Sequence, residues 1–144
     1  MAPSRAGERK IVLATTIAQT SLTIEGIRVV VDGGMQRVPR FSPRTGMSRL
    51  ETVRVSRAGA EQRRGRAGRT APGTCYRLWD ELEHAGLLPF DRPEILEADL
   101  APLALELAAA GIRHAGALRW MDAPPPAALA QAAELLRELG AVDA

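Results

Sequence analysis

Residues 27–31 have the sequence Ile27-Arg28-Val29-Val30-Val31, a short apolar run that is rich in β-branched residues. Such a run predicts a buried strand. A second run, Ile11-Val12-Leu13-Ala14, predicts another strand, and residues 15–26 between them are long enough for a crossover that returns the chain parallel to itself. The two runs therefore predict an α/β fold that contains a right-handed crossover between parallel strands.

A polar cluster follows the first predicted strand. Ligands of open α/β sheets bind beyond the carboxyl ends of the parallel strands, and the cluster occupies that place in the sequence. Its members are Thr15, Thr16, Gln19, Thr20 and Ser21. We therefore treat these residues as candidates for binding a phosphate group.

Residues 35–55 predict a β-hairpin, because the turn formers of a five-residue loop, residues 42–46, interrupt an extended stretch. The hairpin is basic and carries Arg37, Arg40, Arg44 and Arg49. It is therefore a candidate for contact with a nucleic-acid strand. The alternative is a solvated hairpin that binds no ligand.

A helix is predicted over residues 57–68, with Ser56 as its N-cap. The spacing i, i+4, i+7 of Gln62, Arg66 and Arg69 predicts that all three project from one face. Like charges one turn apart, together with glycines at positions 65 and 68 that each cost about 1 kcal/mol, are unfavourable for a helix. The pattern favours a bound anion and a closely approaching second surface, and the alternative is an arginine-rich helix exposed to water.

Charge divides the chain into two parts. Residues 28–77 carry twelve arginines against three acids, a net charge of +9, whereas residues 78–144 carry four arginines against twelve acids, a net charge of −8. This asymmetry indicates a polyanionic partner for the basic part. A GC-rich genome is the alternative source of the arginines, because Lys10 is the only lysine.

Composition excludes several classes of protein. The 144 residues correspond to one domain or to two incomplete ones, and 46% of them are apolar, which argues against disorder. The sequence shows no signal peptide and no apolar stretch of roughly 18 residues, and so predicts a cytoplasmic protein without a membrane partner. The single Cys75 and the distant His84 and His114 predict neither a disulfide framework nor a metal site.

The acidic part of the chain predicts two amphipathic helices. Asp99 is a candidate N-cap for a helix that carries Leu100, Leu103 and Leu107 and stops at Gly111. A second helix follows the prolines at 124–126 and is closed by Gly140; its apolar stripe is Leu129, Ala132, Ala133, Leu136 and Leu139. These stripes predict the core of a small helical module.

Two long segments carry a resemblance to a known family. Ala14-Thr15-Thr16-Ile17-Ala18-Gln19-Thr20-Ser21-Leu22-Thr23-Ile24 resembles motif V of the DEAH-box helicases, and Gln62-Arg63-Arg64-Gly65-Arg66-Ala67-Gly68-Arg69 resembles their motif VI. The motifs occur in the family's order with a basic hairpin between them. The stretches 38–46, 93–96 and Trp120-Met121 bring the resemblance nearest to the bacterial HrpB-type ATP-dependent RNA helicases, over roughly residues 9–143.

The resemblance implies a fold. Residues 1–82 are expected to form the C-terminal part of a second RecA-like domain, which includes motifs V and VI and the hairpin at 35–55. Residues 83–144 are expected to form a linker and a truncated winged-helix-like module. The expected class is therefore α/β, with a partial RecA-like parallel sheet, an inserted β-hairpin and a small helical module.

The resemblance also implies roles for single residues. Arg66 and Arg69 would be arginine fingers for the γ-phosphate of ATP, and Gln62 would help to position the attacking water. Thr23 and Glu25 match positions that contact the nucleotide, the acid accepting from the ribose hydroxyls. RNA would be contacted by Thr15, Thr16, Thr20 and Ser21 and by the hairpin residues Arg37, Arg40 and Arg44. Thr16 stands where the family usually has Asn, and Gln19 where it usually has Glu.

Parts of a complete motor are missing from the sequence. The only lysine, Lys10, is not part of a Gly-Lys-Ser/Thr loop, and residues 80–84, Asp-Glu-Leu-Glu-His, follow motif VI and contain an inserted residue, so they are no Asp-Glu-Ala-His box. We therefore expect ATP and Mg²⁺ to be bound in an intact motor with a first RecA-like domain, and this fragment alone to bind neither and to be inactive.

Two other functions stay open from the sequence. The runner-up is a non-enzymatic nucleic-acid-binding fragment, in which the basic hairpin and the arginine row only grip phosphates. The third is a protein-interaction module built on the acidic helices of residues 80–144.

Overall fold

The computed structural model describes residues 9–20 and 24–143. Its strands are β1 (Val29–Asp32), β2 (Met35–Ser42), β3 (Met47–Arg54) and β4 (Thr74–Arg77). Its helices are α1 (Ile17–Thr20), α2 (Arg57–Ala67), α3 (Glu81–Ala85), α4 (Ala101–Ala109) and α5 (Pro126–Glu138), and 3-10 turns lie at Glu94–Leu96 and Ala115–Ala117. The predicted site residues Ser21 and Thr23 lie outside the described residues.

The described residues divide into two compact units. The first consists of the residues up to Val38 together with Glu51–Asp91, and the second consists of Pro39–Leu50 together with the residues from Arg92 onward. These units do not correspond to the predicted division into residues 1–82 and 83–144, and that division into two helicase domains stays a prediction.

A parallel pair of strands forms the centre of the first unit. β1 pairs with β4 in a register that places Val29 opposite Thr74 and Asp32 opposite Arg77. Helix α2 lies between the two strands in sequence and packs against both of them. The parallel β-α-β arrangement is therefore β1-α2-β4, with the hairpin of β2 and β3 inserted after β1. This arrangement confirms the predicted α/β class with a parallel sheet and an inserted hairpin.

The first predicted strand is wrong. Residues 11–14 form no strand, and the side chains of Ile11 and Leu13 are 89% and 95% exposed. A strand needs a neighbour for its main-chain hydrogen bonds, and within the described residues β1 pairs with β4 and with no earlier segment. The predicted crossover over residues 15–26 therefore does not exist here as a connection between parallel strands.

The hairpin is confirmed, with one change at its loop. β2 continues through Ser42, so the loop has four residues, Pro43–Gly46, and not five. The carbonyl of Ser42 accepts from the amides of Thr45 at 3.1 Å and Gly46 at 2.9 Å, which closes the turn. β2 and β3 pair only with each other among the described strands.

The second unit contains the two predicted helices. Helices α4 and α5 pack through a small core of Leu100, Ala104, Ala132 and Leu136. Asp99 accepts from the amide of Ala101 at 3.0 Å, although Leu100 occupies the cap position itself. Leu139, placed in the apolar stripe by the sequence, is 70% exposed because helix α5 ends at Glu138.

Within residues 9–20 and 24–143, no helix is both long enough and apolar enough to cross a membrane.

Gly73 lies just before β4, at a point where the main chain passes close to Ala67 and Arg28. A Cβ placed there would overlap the carbonyl of Ala67, at the end of α2, and would lie 2.7 Å from the carbonyl oxygen of Arg28. That oxygen accepts from the amide of Thr74 at 2.8 Å, in line with the pairing of β1 and β4. Any side chain at position 73 would therefore separate the helix from the sheet.

We expect Gly73→Ala to lower the free energy of unfolding by about 1 to 3 kcal/mol, because main-chain atoms cannot yield to the added methyl group. Gly65→Ala is the matched control: nothing described lies within 4 Å of a Cβ built there, and it stands inside helix α2. The control should raise the free energy of unfolding by roughly 0.5 to 1 kcal/mol. Urea unfolding followed by circular dichroism measures both, and effects of the same sign would contradict the packing described here.

Candidate active site

Helix α2 presents the candidate catalytic residues, and its first turn is fixed by local contacts. The Ser56 hydroxyl accepts from the amide of Gly59 at 3.0 Å, which confirms the predicted N-cap. Gly59 is buried, and a Cβ there would lie 2.8 Å from Val55 and 3.3 Å from the side-chain nitrogen of Gln19. The absence of a side chain at position 59 therefore lets Gln19 approach the start of the helix.

Gln19 joins the two best-placed catalytic candidates. Its side-chain nitrogen donates to the Oε1 atom of Gln62 at 2.9 Å. Its main-chain carbonyl accepts from Nη2 of Arg66. The structure therefore brings Gln62 and Arg66 to the same neighbour, as their spacing of four residues along a helix predicts.

Arg69 lies just past the end of the helix. Helix α2 ends at Ala67 and Gly68 is its C-cap, so the helix does not carry Arg69 and the prediction of three side chains on one helical face is wrong for this residue. Glycine is a poor helix former, and the helix stops at the second of its two C-terminal glycines. Arg69 is exposed on the turn that follows.

Arg63 hydrogen-bonds to three neighbours in this region. Its Nε atom donates to Oε1 of Gln19 at 3.1 Å, and its Nη1 atom donates to Oδ1 of Asp32 at 2.9 Å and to the carbonyl of Met35 at 3.1 Å. The Arg63 and Asp32 side chains are 15% and 2% exposed. This is therefore a largely buried, hydrogen-bonded ion pair between helix α2 and the carboxyl end of β1.

A cleft of about 770 Å³ opens beside this pair in the first unit. The segment Lys10–Thr16, strand β1 and the side chains of Met35, Arg37, Arg63 and Arg66 are among its lining. Three predicted RNA contacts, Thr15, Thr16 and Arg37, thus share a cleft with Arg66. The cleft has both apolar and cationic walls.

The remaining predicted contact residues are dispersed. Glu25 is exposed in a turn and is not among the residues that line the cleft. Thr20 ends the short helix α1. In the second unit Arg40 forms an ion pair with Glu97 at 2.5 Å, and Arg44 is exposed in the hairpin loop.

A second ion cluster compensates the charge of Arg64 on α2. Glu61 accepts from Nε of Arg64 at 2.7 Å and from Nη2 of Arg77. The Arg77 hydrogen bond holds the pKa of the Glu61 carboxyl below its usual range; partial burial opposes this, and Arg64 lowers the pKa further. The carboxylate therefore stabilises the fold above the ordinary pKa of glutamate, and this contribution is lost as the pH falls through the lowered value. Acids thus neutralise Arg63 and Arg64 within the chain.

The sequence analysis missed the roles of Arg63 and Asp32, and it placed Gln19 among the phosphate-binding candidates without predicting its contacts with Gln62, Arg63 and Arg66. One signal was available for Asp32, since it follows β1 directly and ligand-binding residues cluster at the carboxyl ends of parallel strands. For Arg63 the spacing on the helix gave no signal. No group of three or more metal-ligating His, Cys, Asp or Glu side chains occurs in the described part of the chain.

Known proteins match nearly the whole chain. Residues 1–71 match the helicase conserved C-terminal domain. The chain is 48% identical over 141 residues to the ATP-dependent RNA helicase HrpB of Escherichia coli and 46% identical over 136 residues to the ATP-dependent RNA helicase DEAH11, chloroplastic, of Arabidopsis thaliana. These matches cover 98% and 94% of the chain but only 17% and 8% of the relatives.

Solved structures give the same result. The crystal structure of E. coli DEAH/RHA helicase HrpB matches 98% of the chain with a TM-score of 0.91 at 48% identity, and the match covers 18% of that protein. The fold and the motifs thus define a helicase C-terminal region. The chain belongs to the DEAH-box RNA helicase family and, within it, is similar to the HrpB type, which confirms the resemblance seen in the sequence.

The buried ion pair of Asp32 and Arg63 should contribute strongly to the free energy of unfolding. Asp32→Ala leaves the Arg63 guanidinium buried without its carboxylate, and we expect the free energy of unfolding to fall by about 3 to 5 kcal/mol. Glu61→Ala is the matched control, because that carboxylate is 47% exposed; its loss should cost about 1 kcal/mol or less. Both are measured by urea unfolding at neutral pH, and equal losses would show that Asp32 and Arg63 are not a buried pair.

Proposed function

We propose that this chain is part of an ATP-dependent RNA helicase motor and supplies residues for ATP hydrolysis and contacts for RNA. The observation that carries the proposal is the convergence of Gln62 and Arg66 on Gln19 beside the cleft. Two glycines on the same helix end, Gly65 and Gly68, have nothing described within 4 Å of a built Cβ. This open surface leaves room for a nucleotide held by another domain.

Hydrolysis would use these side chains in trans. Arg66 and Arg69 would donate to the γ-phosphate, and Gln62 would orient the attacking water. Arginine in this position stabilises the charge of a loose phosphoryl-transfer transition state and accounts for about 10³ to 10⁵ in rate. Arg66 would exchange the Gln19 carbonyl for a phosphate oxygen, a change from a neutral to a charged acceptor that strengthens its hydrogen bonds.

The nucleotide would be held mainly outside this chain. The sequence lacks a Gly-Lys-Ser/Thr loop, so a first RecA-like domain would cradle the phosphates and hold Mg²⁺, which would supply positive charge against the phosphates. From this chain, Thr23 and Glu25 would contact the nucleotide. The exposure of Glu25 leaves its carboxylate accessible to ribose hydroxyls.

RNA would contact the cleft and the hairpin. Thr15, Thr16, Thr20 and Ser21 would meet the RNA backbone, and Arg37, Arg40 and Arg44 would meet phosphates along the hairpin that separates strands. Arg40 would release Glu97 to do so, whereas Arg37 and Arg44 are exposed. We propose that residues 1–82 complete a RecA-like domain, that residues 83–144 begin a winged-helix domain, and that the motor works on RNA in the cytoplasm.

The purified 144-residue chain should hydrolyse no ATP, because the phosphate cradle and the magnesium site lie outside it. A coupled phosphate-release assay with and without single-stranded RNA checks this expectation. Turnover stimulated by RNA in the chain alone would contradict the proposed division of the site between two domains.

Arg66→Ala and Arg69→Ala, built separately into the full-length helicase, should each abolish detectable ATP turnover, which corresponds to a loss of about 10³-fold or more. RNA affinity should stay nearly unchanged. Arg64→Ala is the matched control, because Glu61 already neutralises that arginine, and it should keep wild-type turnover. The measurements are steady-state ATP hydrolysis and RNA binding at several salt concentrations. Weaker binding with a shallower salt dependence, at unchanged turnover, would instead indicate the non-enzymatic phosphate grip.

A further inference from the structure

Contacts from several elements of the first unit fix the base of the hairpin. The amide of Val55 donates to the carbonyl of Gly34 at 2.9 Å, next to the two strand ends. The Gln36 side-chain nitrogen donates to Asp91 at 2.8 Å, and Gln36 is 8% exposed. The strand ends that lead into the hairpin are therefore held in place on both sides.

Gly34 adds a steric constraint at the same point. It adopts the left-handed conformation with a φ of 73°, and a Cβ there would lie 2.8 Å from the ring of Trp79. Its amide donates to Oδ1 of Asp32 at 2.9 Å. Strand β1, the following turn and the first residues of β2 thus form one closely packed connection.

Arg63 links this connection to the helix that carries the catalytic candidates. Its guanidinium donates to Asp32 at the end of β1 and to the carbonyl of Met35 at the start of β2. The same guanidinium donates to Gln19, whose amide and carbonyl hold Gln62 and Arg66. One side chain therefore contacts both the neighbour of the catalytic candidates and the first residue of the hairpin strand.

The charge and burial of Arg63 argue against a direct contact with nucleotide phosphate. Its side chain is 15% exposed and its charge is compensated by a carboxylate that is 2% exposed. Binding a phosphate would require breaking that pair and leaving Asp32 buried and charged, which is costly. Arg63 therefore differs from Arg66, whose contacts include the neutral carbonyl oxygen of Gln19.

We infer that Arg63 is a positioning residue that couples the nucleotide state sensed by Gln62 and Arg66 to the placement of the base of the hairpin. The inference rests on the proposed function. When Gln62 and Arg66 leave Gln19 for a nucleotide, Gln19 stays hydrogen-bonded to Arg63, so a change in its position is passed to Met35. The link acts in both directions, because a coupling between two sites is reciprocal.

The coupling through Arg63 depends on the planar shape of its guanidinium group. Its planar fork directs Nε to Gln19 and Nη1 to Asp32 and Met35 from one rigid group. A lysine keeps the charge opposite Asp32 but has a single nitrogen, which cannot span these partners in the same geometry. Arg63→Lys therefore separates the positioning role from the charge.

The experiment compares full-length helicases that carry Arg63→Lys, Arg63→Gln or the control Arg64→Gln, which removes the same charge one residue away. ATP turnover without RNA, RNA affinity and base pairs separated per ATP are measured for each. For Arg63→Lys we expect basal turnover and RNA affinity close to wild type, and strand separation per ATP lower by roughly 5- to 150-fold. Arg63→Gln should show at least the same loss, and Arg64→Gln none.

Hydrogen exchange gives a second readout that does not depend on activity. In Arg63→Lys the amide of Val55, which donates across the base of the hairpin, should exchange faster than in wild type, while amides in α4 are unchanged. If Arg63→Gln does not fold, Arg63→Lys alone decides the question. Wild-type strand separation per ATP in Arg63→Lys, or a parallel loss of basal turnover and strand separation, overturns the inference. Failure of the wild-type helicase to hydrolyse ATP would instead overturn the proposed function.

Discussion

The ion pair between Asp32 and Arg63 is the interaction on which the first unit depends. A carboxylate that is 2% exposed is tolerated only when a cation and hydrogen bonds replace the water it has lost. Arg63 supplies the cation from helix α2, and the amide of Gly34 supplies a further hydrogen bond. Because these partners come from different elements, a single carboxylate fixes the helix, the parallel sheet and the start of the hairpin relative to one another.

Because acids of the same chain neutralise some of its charges, the arginine-rich helix does not need an external anion for all of its arginines. The sequence suggests a row of like charges that needs an external anion. In the structure Asp32 neutralises Arg63 and Glu61 neutralises Arg64, so these two arginines serve the fold. Arg66 contacts a carbonyl oxygen beside the cleft, one residue after Gly65, where a built Cβ meets no described atom within 4 Å. Two structural arginines are thus followed by one candidate catalytic arginine within about one turn of the helix.

The elements predicted correctly are those that local chemistry determines. Ser56 caps α2 through a contact three residues away, and the turn formers of residues 43–46 close the hairpin. The prediction of a strand at residues 11–14 was wrong, because a strand needs a pairing partner that is distant in sequence and that a local pattern does not reveal. The role of Arg63 was missed for the same reason, since its partners Gln19 and Asp32 lie 44 and 31 residues away. Family motifs located Gln62 and Arg66, but only the structure shows that Gln19 holds both.

We propose that Arg66 leaves the carbonyl of Gln19 to meet the terminal phosphate of a nucleotide held mainly by another domain. A crystal structure of the full-length helicase with a non-hydrolysable ATP analogue and Mg²⁺ would show whether this exchange takes place. We expect an Arg66 guanidinium nitrogen at about 2.7 to 2.9 Å from a γ-phosphate oxygen, with Arg63 still bound to Asp32. The proposal is wrong if Arg66 stays bonded to Gln19 while the nucleotide is present, or if Arg63 binds the phosphate in its place.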